Sequence, residues 1–521
     1  MVVGNRRLVA DPHAMRGEAR GEEDGTVRRT VTAMTMGIAL GLALLAPLML
    51  GPQTRPGGSS RPFTGVTASP PVVDERSGAV FVGTQRFVNG RTVGGGVVQV
   101  FDSQTGTLLH RVRLRDHYPA TLAVDNALGR LVLATAGCEP AGGGFGCASE
   151  PAALAVLDAR TGIVLHRLAV SPPAPPAPSR YASGGLAVDE RTRRAFLSRP
   201  GSVVSLSLTG RFVATVASVP GYAYAPIIDG SIGRVVVSSS AYDPNTERIS
   251  SGLSGLDAAT GQVLYRVTSH GSQRNNTVFQ VLGPAAADTR RHRALAIGAN
   301  PGMGAPPVAT IYTLDVRRGT VSGPVLLEPR NPDAWPGLPL ADERTGHTFI
   351  GVVTSSSTVG QDDVYALDTT AGHVLGHTPV APGLPYLGPP LLGDDPMAGR
   401  VIAVTLAEAG RPGHLTLLDA QSRAVLRTET LTITPGVLSV ASQSGRVFIF
   451  SQDDSAVQVL DSATGAPVAR VTLGTPLARG LSSLTATIDA RTGRVFVVHH
   501  LDTLLSVLDA RTGRVLRTTP L

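Results

Sequence analysis

The stretch that decides the fold is residues 505–521, LSVLDARTGRVLRTTPL, because the same phrase recurs along the chain. It returns as VQVFDSQTGTLLHRVRL at 98–114, LAVLDARTGIVLHRLAV at 154–170 and VQVLDSATGAPVARVTL at 457–473. Each copy reads as an apolar strand, a D-x-x-T-G turn and a second apolar strand. Self-similarity of this kind predicts repeated structural units of one type.

A second phrase alternates with the first, as in PVVDERSGAVFVG at 71–83 and TIDARTGRVFVV at 487–498. Units of roughly 40–50 residues that hold only short strands and turns are typical of a β-propeller. We count nine units. The turns of the alternating phrase are centred on Asp74, Asp125, Asp189, Asp229, Asp288, Asp342, Asp395, Ser442 and Asp489, and those of the quoted phrase on Asp102, Asp158, Ser207, Asp257, Asp315, Asp368, Asp419, Asp461 and Asp509.

The geometry of these turns accounts for the Asp and Gly residues in them. The Asp side chain accepts backbone N–H groups, and the Gly takes the left-handed conformation that closes the turn. Two hairpins per unit make four strands, so the sequence predicts an all-β chain folded as a β-propeller of four-stranded blades. Propellers usually have about 4–8 blades, so the sequence is compatible with a blade number of seven, eight or nine. The even spacing favours a single ring of all nine units.

The phrases IDARTGRVFVVHH at 488–500 and LSVLDARTGRVL at 505–516 resemble the YVTN-type β-propeller repeat. The signature Y-V-x-N of that family has drifted here to FVGT at 81–84 and FVVH at 496–499. The resemblance covers the repeat region and implies a propeller in an extracytoplasmic setting. The family includes surface-layer proteins, periplasmic binding propellers and relatives of quinoprotein and copper enzymes, so the resemblance implies no particular activity.

The N-terminal part differs from the repeats. Residues 1–30 are polar and predicted to be a disordered cytoplasmic tail, and residues 31–50 form an uncharged apolar run long enough to span a bilayer as a helix. Arg28 and Arg29 precede this run, so the positive-inside rule places the N-terminus inside and the rest outside. Residues 51–70 are a Gly/Pro/Ser linker and 71–521 the propeller. The alternative is a signal peptide whose cleavage releases a secreted protein.

Composition limits the partners. The net charge is +7, and all basic residues are Arg, so a lysine nucleophile or Schiff base is excluded. The Arg residues are scattered, whereas nucleic-acid binding needs a basic patch with interleaved aromatic residues. We therefore predict no nucleic-acid partner.

The two cysteines, Cys138 and Cys147, lie in one Gly-rich stretch, GCEPAGGGFGC at 137–147. In an oxidising compartment they are expected to form a disulfide. A zinc site is the alternative, but it needs two more ligands, and this stretch offers only Glu139 and Glu150.

Strand order gives the ring two different faces. The turns inside the phrases fall on one face, which we call the uniform face, and the connections between phrases fall on the other, the variable face. Long variable loops are where scaffolded folds carry function. We predict that a protein, peptide or glycan binds the variable face through residues of its loops, namely Trp335, Tyr222, Tyr224, Tyr386, Arg274 and His117.

The chain carries no H-E-x-x-H, G-x-S-x-G, P-loop or C-x-x-C-H motif. His373 and His377 share one side of a strand but have no third ligand in sequence. We therefore predict no metal, cofactor or catalytic residue, and a membrane-anchored extracytoplasmic binding or scaffolding module rather than an enzyme. The alternatives are a propeller enzyme with a central-channel site, lactonase-like or quinoprotein-like, and a structural cell-envelope protein.

The anchor can be tested by fractionation. If residues 31–50 are an uncleaved membrane helix, the protein is expected in the membrane fraction with its N-terminus near Met1. A soluble protein whose N-terminus lies after about Leu50 contradicts the anchor and supports signal cleavage.

The disulfide can be tested by thiol labelling of the unfolded, unreduced protein. Cys138 and Cys147 are expected to resist labelling until a reductant is added. Their bond closes a short loop and is expected to contribute at most about 2–3 kcal/mol. Free thiols in protein taken from the oxidising side contradict both the bond and the location.

Overall fold

The computed structural model describes residues 64–521 with gaps. The residues outside the description are 1–63, 89–90, 93–94, 115–117, 141–146, 171–184, 211, 244–247, 273–284, 301–307, 328–333, 355–360, 381–387, 407–411, 452–454, 474–483 and 500–503. The predicted tail 1–30, the membrane segment 31–50 and most of the linker 51–70 therefore lie outside it. Among the described residues, no helix has the length and apolar character needed to cross a bilayer.

The strands form nine antiparallel sheets in chain order, and each sheet pairs its strands consecutively from first to fourth. We call these sheets blades 1 to 9. The first strands are Thr64–Ala68 with Val72–Asp74, Tyr118–Asp125, Leu186–Asp189, Tyr222–Ala223 with Ile227–Asp229, Ala286–Asp288, Ala334–Asp342, Leu391–Asp395, Pro435–Ala441 and Leu484–Asp489. The second strands are Ala79–Val88, Arg130–Pro140, Arg194–Arg199, Arg234–Asp243, Arg293–Asn300, His347–Thr354, Arg400–Thr405, Arg446–Ser451 and Arg494–His499.

The outer half of each blade follows the same order. The third strands are Gly96–Asp102, Cys147–Asp158, Ser202–Ser207, Arg248–Asp257, Val308–Asp315, Gln361–Asp368, His414–Asp419, Ala456–Asp461 and Leu504–Asp509. The fourth strands are Leu108–Leu114, Val164–Ala169, Ala214–Ser218, Val263–Ser272, Thr320–Leu326, Val374–Pro379, Val425–Thr430, Pro467–Thr472 and Val515–Pro520. A two-residue strand, Arg91–Thr92, extends blade 1, and a short 3₁₀ helix, Ser442–Ser444, lies in blade 8. The predicted propeller of nine four-stranded blades is confirmed.

The first strands form the inner wall of the ring, because each one contacts the first strands of both neighbouring blades, and that of blade 9 contacts that of blade 1. The apolar core lies between blades. Phe81 of blade 1 packs with Leu133 of blade 2, Phe196 of blade 3 with Val235 of blade 4, and six further clusters repeat this arrangement up to blade 9. Phe101 of blade 1 then packs with Phe496 of blade 9 and closes the ring.

The turn between the third and fourth strands is built on a carboxylate. Asp158 Oδ1 accepts hydrogen bonds from Thr161 Oγ1 and from the N–H groups of Arg160 and Thr161 at 2.8–3.2 Å. Gly162 follows with φ +69°. Burial opposes ionisation of Asp158, but the hydrogen bonds outweigh it and lower the pKa of the carboxyl. The predicted role of these aspartates in capping turns is confirmed.

The turn between the first and second strands is built on a buried carboxylate. Asp489 is fully buried and accepts N–H bonds from Arg491 and Thr492 at 3.0 and 3.1 Å. In every blade a hydrogen bond then ties this turn to the outer one, as from Ala510 N to Gly493 O at 2.9 Å in blade 9. The uniform face is thus a hydrogen-bonded rim.

Blade 8 departs from this pattern at one residue. The register pairs Ala441 with Arg446, as Asp395 pairs with Arg400 in blade 7, so Ala441 and not Ser442 stands at the aspartate position. With no carboxylate to accept N–H groups, the turn tightens into the 3₁₀ helix, in which Gly445 N donates to Ser442 O at 3.1 Å.

The tight turns predict a graded effect of Gly substitutions in blade 9. Gly513 and Gly493 have φ +73° and +63°. A Cβ on Gly513 would lie 2.6 Å from Val459 Cγ2 of blade 8, whereas one on Gly493 would meet nothing within 4 Å. Gly493→Val is expected to destabilise by about 1–2 kcal/mol through backbone strain, and Gly513→Val by more. Equal losses in denaturant unfolding would contradict the inter-blade contact.

Candidate functional site

On the variable face the hairpins between the second and third strands differ in length from blade to blade, whereas the turns of the uniform face are alike. The second and third strands have 6 residues each in blade 3, where only Pro200 and Gly201 connect them. They have 11 and 12 residues in blade 2, and 10 each in blade 4. The second strands begin and the third strands end at equivalent turns on the uniform face, so the longer hairpins extend further on the variable face.

The structure describes three of the six predicted binding residues. Trp335 lies within the first strand of blade 6, opposite Val353, so it belongs to a strand rather than to the predicted loop. Tyr222 pairs with Ser240 in blade 4, and the side chains of Trp335 and Tyr222 lie outside the description. Tyr224 is half-buried, with its hydroxyl 3.4 Å from Ser240 Oγ.

His117, Arg274 and Tyr386 lie outside the described residues. Tyr222 and Tyr224 belong to blade 4 and Trp335 to blade 6, so the described residues do not bring the six together in one cluster. Their role in binding stays a prediction.

The cysteines lie in the hairpin of blade 2. Cys138 pairs with Ser149 and Cys147 with Pro140, so the two occupy diagonal positions across the strands. Diagonal Cα atoms lie about 7–8 Å apart, slightly beyond the usual 4.4–6.8 Å span of a disulfide. The side chains of both cysteines lie outside the description, and the disulfide stays a prediction that requires a small shift of the hairpin backbone.

One position of the first strand is apolar in eight of the nine blades. The residue that precedes the turn position in each first strand is Val, Ile or Ala in eight blades, and in blade 7 it is Asp394. The eight apolar residues are Val73, Val124, Val188, Ile228, Ala287, Ala341, Val440 and Ile488. Among the described residues, no group of three or more His, Cys, Asp or Glu side chains is arranged to hold a metal ion.

Asp394 carries an unfavourable charge. Burial raises the pKa of its carboxyl, and the nearby negative charges of Asp342, Asp395 and Glu343 raise it further. Residues that a protein keeps in spite of such a cost are candidates for function. Asp394 is therefore a candidate functional residue, since it is the one charged residue at this position of the nine described first strands.

A cavity of about 240 Å³ lies between blades 1 and 2 towards the outer rim, and its walls are almost entirely apolar. Its lining residues are Leu114, Thr135, Ala153, Ala155, Arg167 and Ala169. Thr135 Oγ1 donates a hydrogen bond to Ala153 O at 3.1 Å and accepts one from Ala153 N at 3.3 Å. Arg167 is exposed and makes no hydrogen bond or ion pair with the residues that the structure describes.

Sequence reasoning missed both Asp394 and this cavity, although aligning the repeats could have found them. Asp394 is charged, whereas its eight counterparts are apolar. Ala155 stands three residues before the outer turn aspartate, where other blades have larger residues such as Gln99, Tyr312, Tyr365 and Gln458.

Residues 354–521 match the family model described as outer membrane protein assembly factor BamB. This match covers the last strands of blade 6 and blades 7 to 9, and it supports a quinoprotein-like propeller. The YVTN resemblance stays a prediction. No curated protein matches the chain.

Among solved structures, a crystal structure of a eukaryotic initiation factor is 11% identical with a TM-score of 0.53, covering 81% of this chain and 98% of that one. Apo AztD from Citrobacter koseri is 15% identical with a TM-score of 0.41, covering 71% and 92%. BamB from Moraxella catarrhalis is 14% identical with a TM-score of 0.36, covering 81% and 92%. The protein is thus a nine-bladed β-propeller whose C-terminal part is similar to BamB-type repeats.

The charge of Asp394 predicts a pH-dependent effect on stability. A carboxyl whose pKa is raised on folding stabilises the fold only while it is protonated, and this contribution is lost as the pH rises through the unfolded and then the folded pKa. Asp394→Asn is therefore expected to raise the melting temperature at pH 7 and to lose this advantage near pH 4. A melting temperature at pH 7 that is unchanged or lower would contradict the unfavourable charge.

Proposed function

We propose that the protein is a membrane-anchored, extracytoplasmic β-propeller that binds a partner through its variable face. The partner is a protein, a peptide or a glycan, and the ring acts as a rigid scaffold. The observation that carries the proposal is the contrast between the two faces. One face is repeated and bonded to itself in every blade, and the other differs from blade to blade.

On the uniform face, arginines of several turns bond to the neighbouring blade. Arg76 of blade 1 donates to Ala127 O of blade 2, Arg291 of blade 5 to Glu343 O of blade 6 at 2.9 Å, and Arg491 of blade 9 lies 3.5 Å from Ser103 Oγ of blade 1. A partner on this face would have to displace such bonds. The variable face carries the hairpins of unequal length, which offer a partner a different surface in each blade.

Two further features support the proposal. The matched family model describes an assembly factor of the outer membrane, which agrees with a role in binding other proteins outside the cytoplasm. The apolar run at 31–50, preceded by arginines, agrees with anchoring at a membrane.

Site-specific photo-cross-linking in the full-length protein tests this function. A benzophenone amino acid is placed at position 335 on the variable-face side, and a matched one at Arg160, which is exposed in an outer turn of the uniform face. We expect adducts with a defined partner from position 335 and none from position 160. Adducts from position 160 alone would contradict the proposal.

Paired substitutions separate binding from folding. Trp335→Ala is expected to weaken binding of the purified partner that the cross-link identifies while the melting temperature stays unchanged, since aromatic anchors often contribute about 2 kcal/mol or more to binding. Asp158→Ala removes the acceptor of three turn hydrogen bonds and is expected to cost about 1 kcal/mol of stability with binding intact. The opposite pattern would place the binding surface on the uniform face.

A further inference from the structure

The cavity between blades 1 and 2 has an internal counterpart that is filled. In blade 6, Tyr365 stands three residues before Asp368, as Ala155 stands three before Asp158 in blade 2. Tyr365 pairs with His377 on the fourth strand, as Ala155 pairs with Arg167. Both residues face the preceding blade, where Leu327 and Leu114 are also equivalent in position.

The filled slot shows what the space accommodates. The Tyr365 ring is 2% exposed and stacks on His377 with centroids 5.3 Å apart and planes 18° apart. In blade 2 the same positions hold Ala155 and Arg167. The tyrosine ring is therefore absent, and a guanidinium group takes the place of the stacked imidazole. The open volume of about 240 Å³ exceeds the roughly 150 Å³ of an apolar cavity that holds a benzene molecule.

Four of the eight other blades fill this position with a large side chain, which is Gln99, Tyr312, Tyr365 or Gln458. In blade 1, Gln99 bonds Thr84 and Arg111 at 3.5 and 3.3 Å, and in blade 8 Gln458 accepts a bond from Thr432 N at 2.8 Å. In blade 4, Arg266, the counterpart of Arg167, donates to Ser218 O of blade 3. Blade 2 has the smallest side chain of the nine blades at this position, since the remaining four blades hold Val204, Ser254, Thr416 and Ser506.

We propose that the slot receives an aromatic side chain of a peptide or protein partner, with Arg167 stacked on the inserted ring. A guanidinium over an aromatic face is a favourable cation–π pair. A sugar is disfavoured, because the alanine walls would leave its hydroxyl groups without hydrogen-bond partners. The slot rests on the proposed binding function and narrows its partner to a polypeptide with an exposed Tyr, Phe or Trp.

The probe for the test is N-acetyl-L-tyrosinamide, observed by saturation-transfer NMR with the full-length protein, with methyl glucoside as the matched non-aromatic probe. Wild type is expected to bind the tyrosinamide with a millimolar dissociation constant and the glucoside not at all. Arg167→Ala is expected to weaken tyrosinamide binding about two- to fivefold. Absence of tyrosinamide binding to wild type, or equal binding of the glucoside, overturns the proposal.

A reciprocal pair of variants locates the site. Ala155→Tyr copies blade 6 into blade 2 and is expected to abolish probe binding and to raise the melting temperature, because the slot is filled by the chain. Tyr365→Ala empties blade 6 and is expected to lower the melting temperature and to create a second probe site. Probe binding unchanged by Ala155→Tyr, or a lower melting temperature in that variant, shows that the slot does not fit a tyrosine and overturns the proposal.

The slot and the wider function can fail separately. If the probe does not bind but cross-links still form from position 335, the variable face binds a partner without this slot. If the probe binds and no cross-links form, the slot stands as an aromatic site and the proposed location of the partner on the variable face fails.

Discussion

Closure of the ring between blade 9 and blade 1 is the contact on which the rest of the structure depends. All four strands of each blade come from consecutive residues, so no strand is shared between the two ends of the propeller. The ends meet at the apolar cluster of Phe101 and Phe496, supported by Thr519 Oγ1 donating to Gly106 O at 3.2 Å. Because the core lies between blades, opening this contact would expose two apolar sheet faces to water.

Packing between neighbouring blades follows a rule of complementary size. The fourth strand of each blade faces the outer turn of the next one. Tyr265 of blade 4 covers Gly319 of blade 5 and donates its hydroxyl to Val316 O at 3.0 Å. Where the turn of blade 7 has Arg423 in place of Gly, with φ +67°, the strand of blade 6 has Gly376 opposite it.

The sequence predicted the repeats, the strands, the turns and the nine blades, because each of these follows from local chemistry that recurs with a fixed spacing. It misplaced the turn residue of blade 8 by one position, since Ser442 resembles a capping residue and only the pairing of Ala441 with Arg446 reveals the register. It placed Trp335 in a loop, although its segment pairs as a strand. The site was harder to predict, because the slot forms only where Ala155 of blade 2 and Leu114 of blade 1 face each other, and that contact is set by the packing of the two blades.

Closure of the ring is tested most directly by comparing two phenylalanines at equivalent positions of the second strand. Phe196 lies at the interface of blades 3 and 4, and Phe496 at the interface of blades 9 and 1, and both are fully buried. In a closed ring, Phe196→Ala and Phe496→Ala are expected to lower the free energy of unfolding by similar amounts, about 3–5 kcal/mol each. A small loss for Phe496→Ala beside a large one for Phe196→Ala would mean that the ring is open at its ends.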